Sequence, residues 1–274
     1  MGVGGAVGLA GGGALYVGSE LDGDFGGYTA PDSFPTVTTR GRIDLEWTDT
    51  DSTEAVIQTE GSWAFGDAEE LFVFVHGFDT DDDTARDQAY ATAVGLDLLR
   101  PAAVVAYSWD SDVDWGEAKR MADRNAVLLA DWLIEWADTD GRPVHLLGYS
   151  LGARVTCETL FVLTTVGRGD AVASASLLGG AVPHDSIERD TRYGEAIETL
   201  DVPVTNFHNG DDRVLGWIYR LSDRTHAVGE TGLRNPDAAP AGYTDVDVTG
   251  SVPDHYSYFQ PDEGCLPQIV EQIQ

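Results

Sequence analysis

The sequence predicts an α/β fold, with a mostly parallel central sheet covered by helices on both faces and a β-hairpin at its N-terminal end. Three observations predict it. From residue 70 onward, short apolar runs of strand length alternate with longer segments of helical period. The first two, Leu71 to Val75 and Ala102 to Tyr107, are apolar throughout instead of at every second position, as strands buried on both faces are. Length and composition agree, because 274 residues at 42% hydrophobic and 23% charged supply the core of one domain, with no second composition regime after residue 40. The expected organisation is a flexible leader or export-signal remnant over residues 1–35, then a single domain over 36–274.

The elements follow in order. Ile43 to Trp47 and Ala55 to Thr59 read as the strands of the opening hairpin, with the turn cluster Asp49-Thr50-Asp51-Ser52 between them. Leu71 to Val75 (LFVFV) is the first buried strand. A helix is expected over Thr84 to Leu99, where Ala85, Ala89, Ala93 and Leu96 share a side. Ala102 to Tyr107 is the next strand, and Trp115 to Ala137 the next helix, carried by Ala122, Leu129 and Leu133. Val144 to Gly148 is a strand, Leu151 to Val166 a helix, and Val172 to Leu178 a strand. A helical segment near Ser186 to Leu200 leads to a strand over Val204 to Phe207. A helix near Val214 to Leu221, a strand over Tyr243 to Val248 and a helix near Leu266 to Ile273 complete the chain.

The charge is abnormal. The 47 acidic residues outnumber 16 basic ones, for a formal net charge of −31, and Lys119 is the only lysine. Such an excess repels phosphate groups, so neither nucleic acid nor an anionic membrane surface is an expected partner. The acids are spread along the whole chain, the pattern expected of a protein from a halophilic archaeon, where salt near 1 M shortens the Debye length to about 3 Å and screens self-repulsion. Residues 2–18 (GVGGAVGLAGGGALYVG) are too short and too glycine-rich for a membrane span. They read as the weakly apolar part of a twin-arginine export signal that lacks its arginine pair, or as a flexible leader. Export is preferred over a cytoplasmic location, and no stable membrane insertion is expected. Cys157 and Cys265 show no metal or redox spacing, so no metal and no organic cofactor are expected.

The chemistry sits at Gly148-Tyr149-Ser150-Leu151-Gly152, a G-x-S-x-G between a strand and a helix. Its glycines permit a sharp strand-to-helix turn that presents the Ser150 hydroxyl as a nucleophile. A serine needs a base to take its proton and a carboxylate to hold that base in the right tautomer, and in this topology acid and then histidine follow the serine. Of the six histidines, His184, His208, His226 and His255 follow Ser150. The turn after Val204 to Phe207 carries Asp211 and Asp212 at the carboxyl end of a strand, where open α/β sheets build their sites. Asp212 is preferred as the acid, with Asp211 as a turn or cap residue. His226 follows Asp212 too soon for a helix and a returning strand, whereas His255 leaves room for both; His208 precedes the acid and reads as structural.

Acyl transfer also needs donors for the developing oxyanion, worth about 3–4 kcal/mol each. The Leu151 N–H is one. The loop after LFVFV supplies the other, with Gly77 allowing close approach, the Phe78 N–H as donor, and His76 as an organiser of the loop. The aspartates at 79, 81, 82 and 83 fail the EF-hand frame, as do those at 110, 112 and 114, and read as solvated charges. Trp109 and Trp115 are candidates for lining a pocket or for packing.

Taken together, the FVHGF strand end, GYSLGA, an Asp after a later strand and a late His resemble the α/β-hydrolase superfamily from residue 70 to the end. Within it, Asn209 to Gly216, Tyr219-Arg220, Val246-Asp247-Val248, Asp254-His255-Tyr256 and Tyr107-Ser108-Trp109 are similar to an uncharacterised serine-hydrolase-like family. That resemblance favours Asp212 as the acid. The sequence-level expectation is a serine hydrolase of the carboxyl-ester class with Ser150, Asp212 and His255 as catalytic triad. Phe78 and Leu151 would form the oxyanion hole, and His76, Gly77, Gly148 and Gly152 would support it. Its substrate is a small ester, thioester or lipid-like ester. The segment 179–203, short for a lid and without a strongly apolar face, favours a soluble esterase. The alternatives are an acyltransferase on the same site and a catalytically idle hydrolase fold used for binding.

Overall fold

The computed structural model describes residues 27–43 and 57–273. Its strands are β1 (Thr36–Thr38), β2 (Gln58–Glu60), β3 (Leu71–Val75), β4 (Ala103–Ser108), β5 (Val144–Tyr149), β6 (Ser174–Leu178), β7 (Val204–His208) and β8 (Tyr243–Asp247). They form one sheet in the spatial order β2-β1-β4-β3-β5-β6-β7-β8. Only the β1–β2 pair is antiparallel. Helices α1 (Asp82–Asp97), α2 (Trp115–Thr139), α3 (Gly152–Val166), α4 (Arg192–Leu200), α5 (Arg220–Asp223), α6 (Val228–Thr231) and α7 (Leu266–Gln272) connect or follow them. This is the α/β-hydrolase fold.

Why both faces are covered is visible in β3. Leu71, Val73 and Val75 point into a core shared with Leu129 and Leu133 of α2 and Leu160 of α3. Phe72 and Phe74 point into a second core with Ala89 and Leu96 of α1 and Leu266 and Ile269 of α7. All five side chains of β3 are fully buried, and each such large apolar side chain contributes about 1.5–3 kcal/mol relative to exposure. A strand buried on both sides therefore has no polar alternation to display.

The β3–β5 junction positions the site. β3 lies beside β5 in register, with Val75 opposite Gly148. The loop leaving β3 enters α1 on one face, while the turn leaving β5 enters α3 on the other. Loops that diverge to opposite faces from adjacent parallel strands open a crevice at the strands' carboxyl ends.

The opening strand pair differs from expectation. Its strands are Thr36–Thr38 and Gln58–Glu60, whereas Ile43 is a buried residue outside any strand. The remainder of the expected first strand, its turn and Ala55 to Val56 lie outside the described residues, as do residues 1–26 of the expected leader. Ahead of β1, Phe34 is buried against Tyr90, and the Ala30 N–H donates to Asp87 at 2.7 Å, so packing on the domain begins there. The helical segment expected from Ser186 begins only at Arg192, where Thr191 caps it. Val214–Tyr219 is a π-helical turn continued by α5. Among the described residues no helix is long and apolar enough to cross a membrane.

Candidate active site

Ser150 sits at the β5–α3 turn with φ of 52°, a left-handed conformation that costs a non-glycine residue about 1–3 kcal/mol. The surrounding structure enforces it. The Ser150 N–H donates to Leu178 O at 3.0 Å, and its carbonyl accepts from Ala153 and Ala181 at 3.1 and 2.9 Å. A side chain on Gly152 would place Cβ 2.0 Å from Val75 O, and one on Gly148 would place Cβ 2.5 Å from the Thr156 hydroxyl. Both glycines of the motif are thus needed for α3 to approach the sheet.

The three expected residues meet although 105 positions separate the outer two. The Ser150 Oγ lies 2.9 Å from His255 Nε2, and His255 Nδ1 lies 2.7 Å from Asp212 Oδ2. Ser150, His255 and Asp212 are 8%, 4% and 2% exposed. Burial keeps water from competing for these bonds. Since a carboxylate only accepts, the Nδ1 carries the imidazole proton and Nε2 is the acceptor for the serine hydroxyl. Asp212 is itself fixed: Oδ1 accepts the Leu215 N–H at 3.0 Å, and Oδ2 also accepts the Tyr258 hydroxyl at 3.3 Å. Burial first, and the Asp212 charge next, hold the Tyr258 pKa well above 10, so this hydroxyl remains a donor.

The loop after β3 presents the other half of the site. Gly77 packs so closely that a Cβ there would lie 2.8 Å from Ser150 Cβ and 3.3 Å from its Oγ. Among the described residues neither the Phe78 N–H nor the Leu151 N–H has an acceptor. His76 is fully buried and stacked on Trp109. Its Nδ1 donates to Gly77 O at 2.9 Å, while Nε2 accepts the Trp109 N–H at 3.1 Å and faces Arg40 Nη2 at 3.3 Å. Burial, and then the Arg40 charge, lower its pKa to about 3, so it is neutral and organises the loop. Trp109 is packing. Trp115 meets Phe78 edge-on at 5.1 Å and Tyr219 at 6.1 Å, an apolar cluster next to the loop.

The remaining candidates stand elsewhere. His226 bonds Glu230 at 3.0 Å and stacks on His184; neither bonds Ser150. Asp211 is exposed, and its N–H donates to Asn209 Oδ1 at 2.9 Å. Asp81 caps α1 through the Thr84 N–H, and Asp82 and Asp112 face Arg40. No group of side chains suited to a metal occurs among the described residues, and both cysteines are buried thiols. Sequence reasoning missed three residues. Tyr258 supports the acid, and Asn209 holds its turn through Val252 O at 2.8 Å. Arg40 ties His76 to Thr80 O and Ser108. Arg40 and Tyr258 carry no motif; Asn209 stands in a segment that carries the resemblance, as a turn residue ahead of the paired aspartates.

Among solved structures, the chain is similar to the lipase BlEst2 of Bacillus licheniformis at 18% identity and TM-score 0.44, covering 76% of this chain and 94% of that one. A lipase-esterase related protein of Clostridium acetobutylicum matches at 10% and 0.48, covering 75% and 95%. YbtT, a type II thioesterase of a yersiniabactin pathway, matches at 17% and 0.44, covering 76% and 94%. Two curated relatives have names that place them in membranes. A Transmembrane and coiled-coil domain-containing protein of Oryza sativa is 30% identical over 64% of this chain, and an uncharacterized membrane protein of Schizosaccharomyces pombe is 31% identical over 59%. The matches span only 24% and 20% of those relatives' lengths. With a family model covering residues 65–273, which include Ser150, Asp212 and His255, the chain belongs to the family described as Protein of unknown function (DUF726).

Proposed function

We propose that this protein is a serine hydrolase that cleaves a carboxylic ester or thioester through an acyl-enzyme on Ser150. The observation that carries the reading is the continuous chain from Ser150 Oγ through His255 to Asp212, at 2.9 and 2.7 Å, beside two backbone N–H groups that have no acceptor among the described residues. Neutral His255 Nε2 takes the hydroxyl proton as Oγ attacks the carbonyl carbon. The charge that develops on the carbonyl oxygen falls to the Phe78 and Leu151 N–H groups. Asp212 stabilises the imidazolium. Collapse of the tetrahedral intermediate breaks the bond to the alkoxide or thiolate, which leaves with the proton from His255. Water then repeats the sequence: His255 takes its proton, the hydroxide adds to the acyl carbon, and Ser150 leaves reprotonated.

Phe78 and Trp115, packed edge to face at 5.1 Å beside the proposed oxyanion loop, would supply an apolar wall for an acyl group. The test is hydrolysis of p-nitrophenyl esters of graded chain length in about 3 M KCl, comparing the protein with Ser150→Ala. Turnover lost in the variant supports the reading, and the preferred chain length measures the acyl site. A folded protein inert towards the whole series would defeat it.

A further inference from the structure

The π-helical turn Val214–Tyr219 and α5 begin directly after Asp212 and present an unusual surface. Tyr219 faces inward on Trp115. Outward stand Trp217, 72% exposed, and Leu221, 66% exposed. They are four residues apart, on one side of the helical segment. Trp217 is the only exposed tryptophan among the described residues.

Positive side chains gather around this pair. Arg213, Arg220 and Arg224 flank it, and all three are exposed. Elsewhere, arginines such as Arg100, Arg142, Arg154 and Arg168 hold carboxylates at 2.6–2.8 Å. Among the described residues Arg213 and Arg224 hold none, and Arg220 only approaches Glu230 at 4.0 Å. Arg42, Arg86 and Arg120 likewise hold no carboxylate among the described residues, so what distinguishes Arg213 and Arg224 is their place beside an exposed tryptophan and leucine. The nearby acids are engaged or peripheral. Asp223 binds Lys119 and the Trp115 indole, Glu230 binds His226, Asp212 is buried, and Asp211 lies at the rim. A cleft of about 620 Å³ lined by Arg213, Trp217, Arg220 and Leu221, with Asp211, Asp212 and Glu230 on its other wall, is open on this side.

We infer that this face docks on an anionic lipid surface, with Trp217 and Leu221 entering the headgroup–acyl boundary and Arg213, Arg220 and Arg224 meeting the phosphates. An amphipathic tip of this kind, with tryptophan and leucine inserted and arginines around them, suits an interface rather than a span. The overall charge of −31 does not forbid it. Even at about 0.1 M salt the Debye length is about 10 Å, so carboxylates on the far side of the molecule are largely screened at this face and the arginines in contact decide. The inference concerns binding and stands whether or not Ser150 turns over a substrate.

The test is flotation of the full chain with vesicles of phosphatidylglycerol and phosphatidylcholine, and with phosphatidylcholine alone, at the lowest KCl concentration that keeps it folded by circular dichroism. The protein is expected to float with the anionic vesicles. Trp217→Ser with Leu221→Ser should weaken binding about tenfold or more. Arg213→Gln with Arg224→Gln should weaken binding to the anionic vesicles about tenfold and leave any binding to phosphatidylcholine unchanged. Failure of the native protein to float, or flotation that neither variant weakens, overturns the inference. Equal affinity for both vesicles overturns the anionic assignment. A dimer by light scattering that Trp217→Ser dissociates assigns the patch to a second copy of the chain instead.

Discussion

Replacing Asp212 with Asn changes one atom and should reverse the tautomer on which the proposed chemistry depends. In the native site Oδ1 accepts the Leu215 N–H at 3.0 Å, while Oδ2 accepts His255 Nδ1–H at 2.7 Å and the Tyr258 hydroxyl at 3.3 Å. Asparagine offers one acceptor and one donor group. If its NH₂ faces Leu215, two buried donors oppose each other, at a cost of about 1–3 kcal/mol. If its NH₂ faces His255, both amide groups are paired once the ring carries its proton on Nε2 and the Tyr258 hydroxyl turns to accept. That paired arrangement is the inactive one, because a protonated Nε2 cannot take the Ser150 proton. Wrong-tautomer variants of this triad geometry lose about 10,000-fold in kcat, equivalent to about 5.4 kcal/mol of barrier. The assay is kcat on the best p-nitrophenyl ester, with Asp211→Asn as control; Asp211 is exposed and makes no bond to His255, so its variant should keep nearly full activity. Asp212→Asn within about tenfold of the native rate, or Asp211→Asn falling as far, would refute the argument.

Four further outcomes are expected. Gly77→Ala puts a Cβ 2.8 Å from Ser150 Cβ, so the nucleophile must move; kcat should fall about 100-fold with little change in melting temperature, and an unchanged kcat would contradict the close approach. Tyr258→Phe removes one donor from Asp212, which predicts about a fivefold loss in kcat with KM unchanged; a loss confined to KM would assign Tyr258 to substrate binding. His76 titrates at about 3 when folded against 6.5 in its unperturbed state, so the unfolded chain binds the extra proton between these values and stability must fall as pH drops through that window, by up to about 1.4 kcal/mol per pH unit. Urea midpoints at pH 7 and 5 should therefore diverge less in His76→Gln than in the native protein. Finally, with a net charge of −31, the melting temperature should rise substantially between about 0.1 M and 3 M KCl; an equal midpoint would remove the halophilic reading.

How much was legible follows from where the information lies. β3 and residues 103–107 of β4 are continuous apolar runs because both faces are covered, and the elbow needs glycine at 148 and 152 because neighbouring atoms approach too closely for a Cβ. Such local requirements leave a local trace. The opening strand pair leaves none, since β1 and β2 are three residues each and owe their conformation to pairing with β4 and with each other. The preference for Asp212 over its neighbour, which the resemblance strengthens, has a physical counterpart in the structure: the turn held by Asn209 buries one carboxylate and exposes the other. Arg40 and Tyr258 act through contacts across 36 and 46 positions, a distance at which single-sequence patterning carries no signal. Sequence reasoning sought apolar surface in residues 179–203; the exposed apolar pair beside the acid is Trp217 and Leu221, whose helical period alone could not say which side faces outward.

The most direct test of the central claim is covalent trapping. The folded protein in about 3 M KCl is treated with a fluorophosphonate, digested and mapped by mass spectrometry, beside His255→Ala and Ser150→Ala. The account predicts a single adduct on Ser150, formed far more slowly in His255→Ala and absent in Ser150→Ala. Folded native protein that stays unlabelled, or that reacts at another residue, would contradict it.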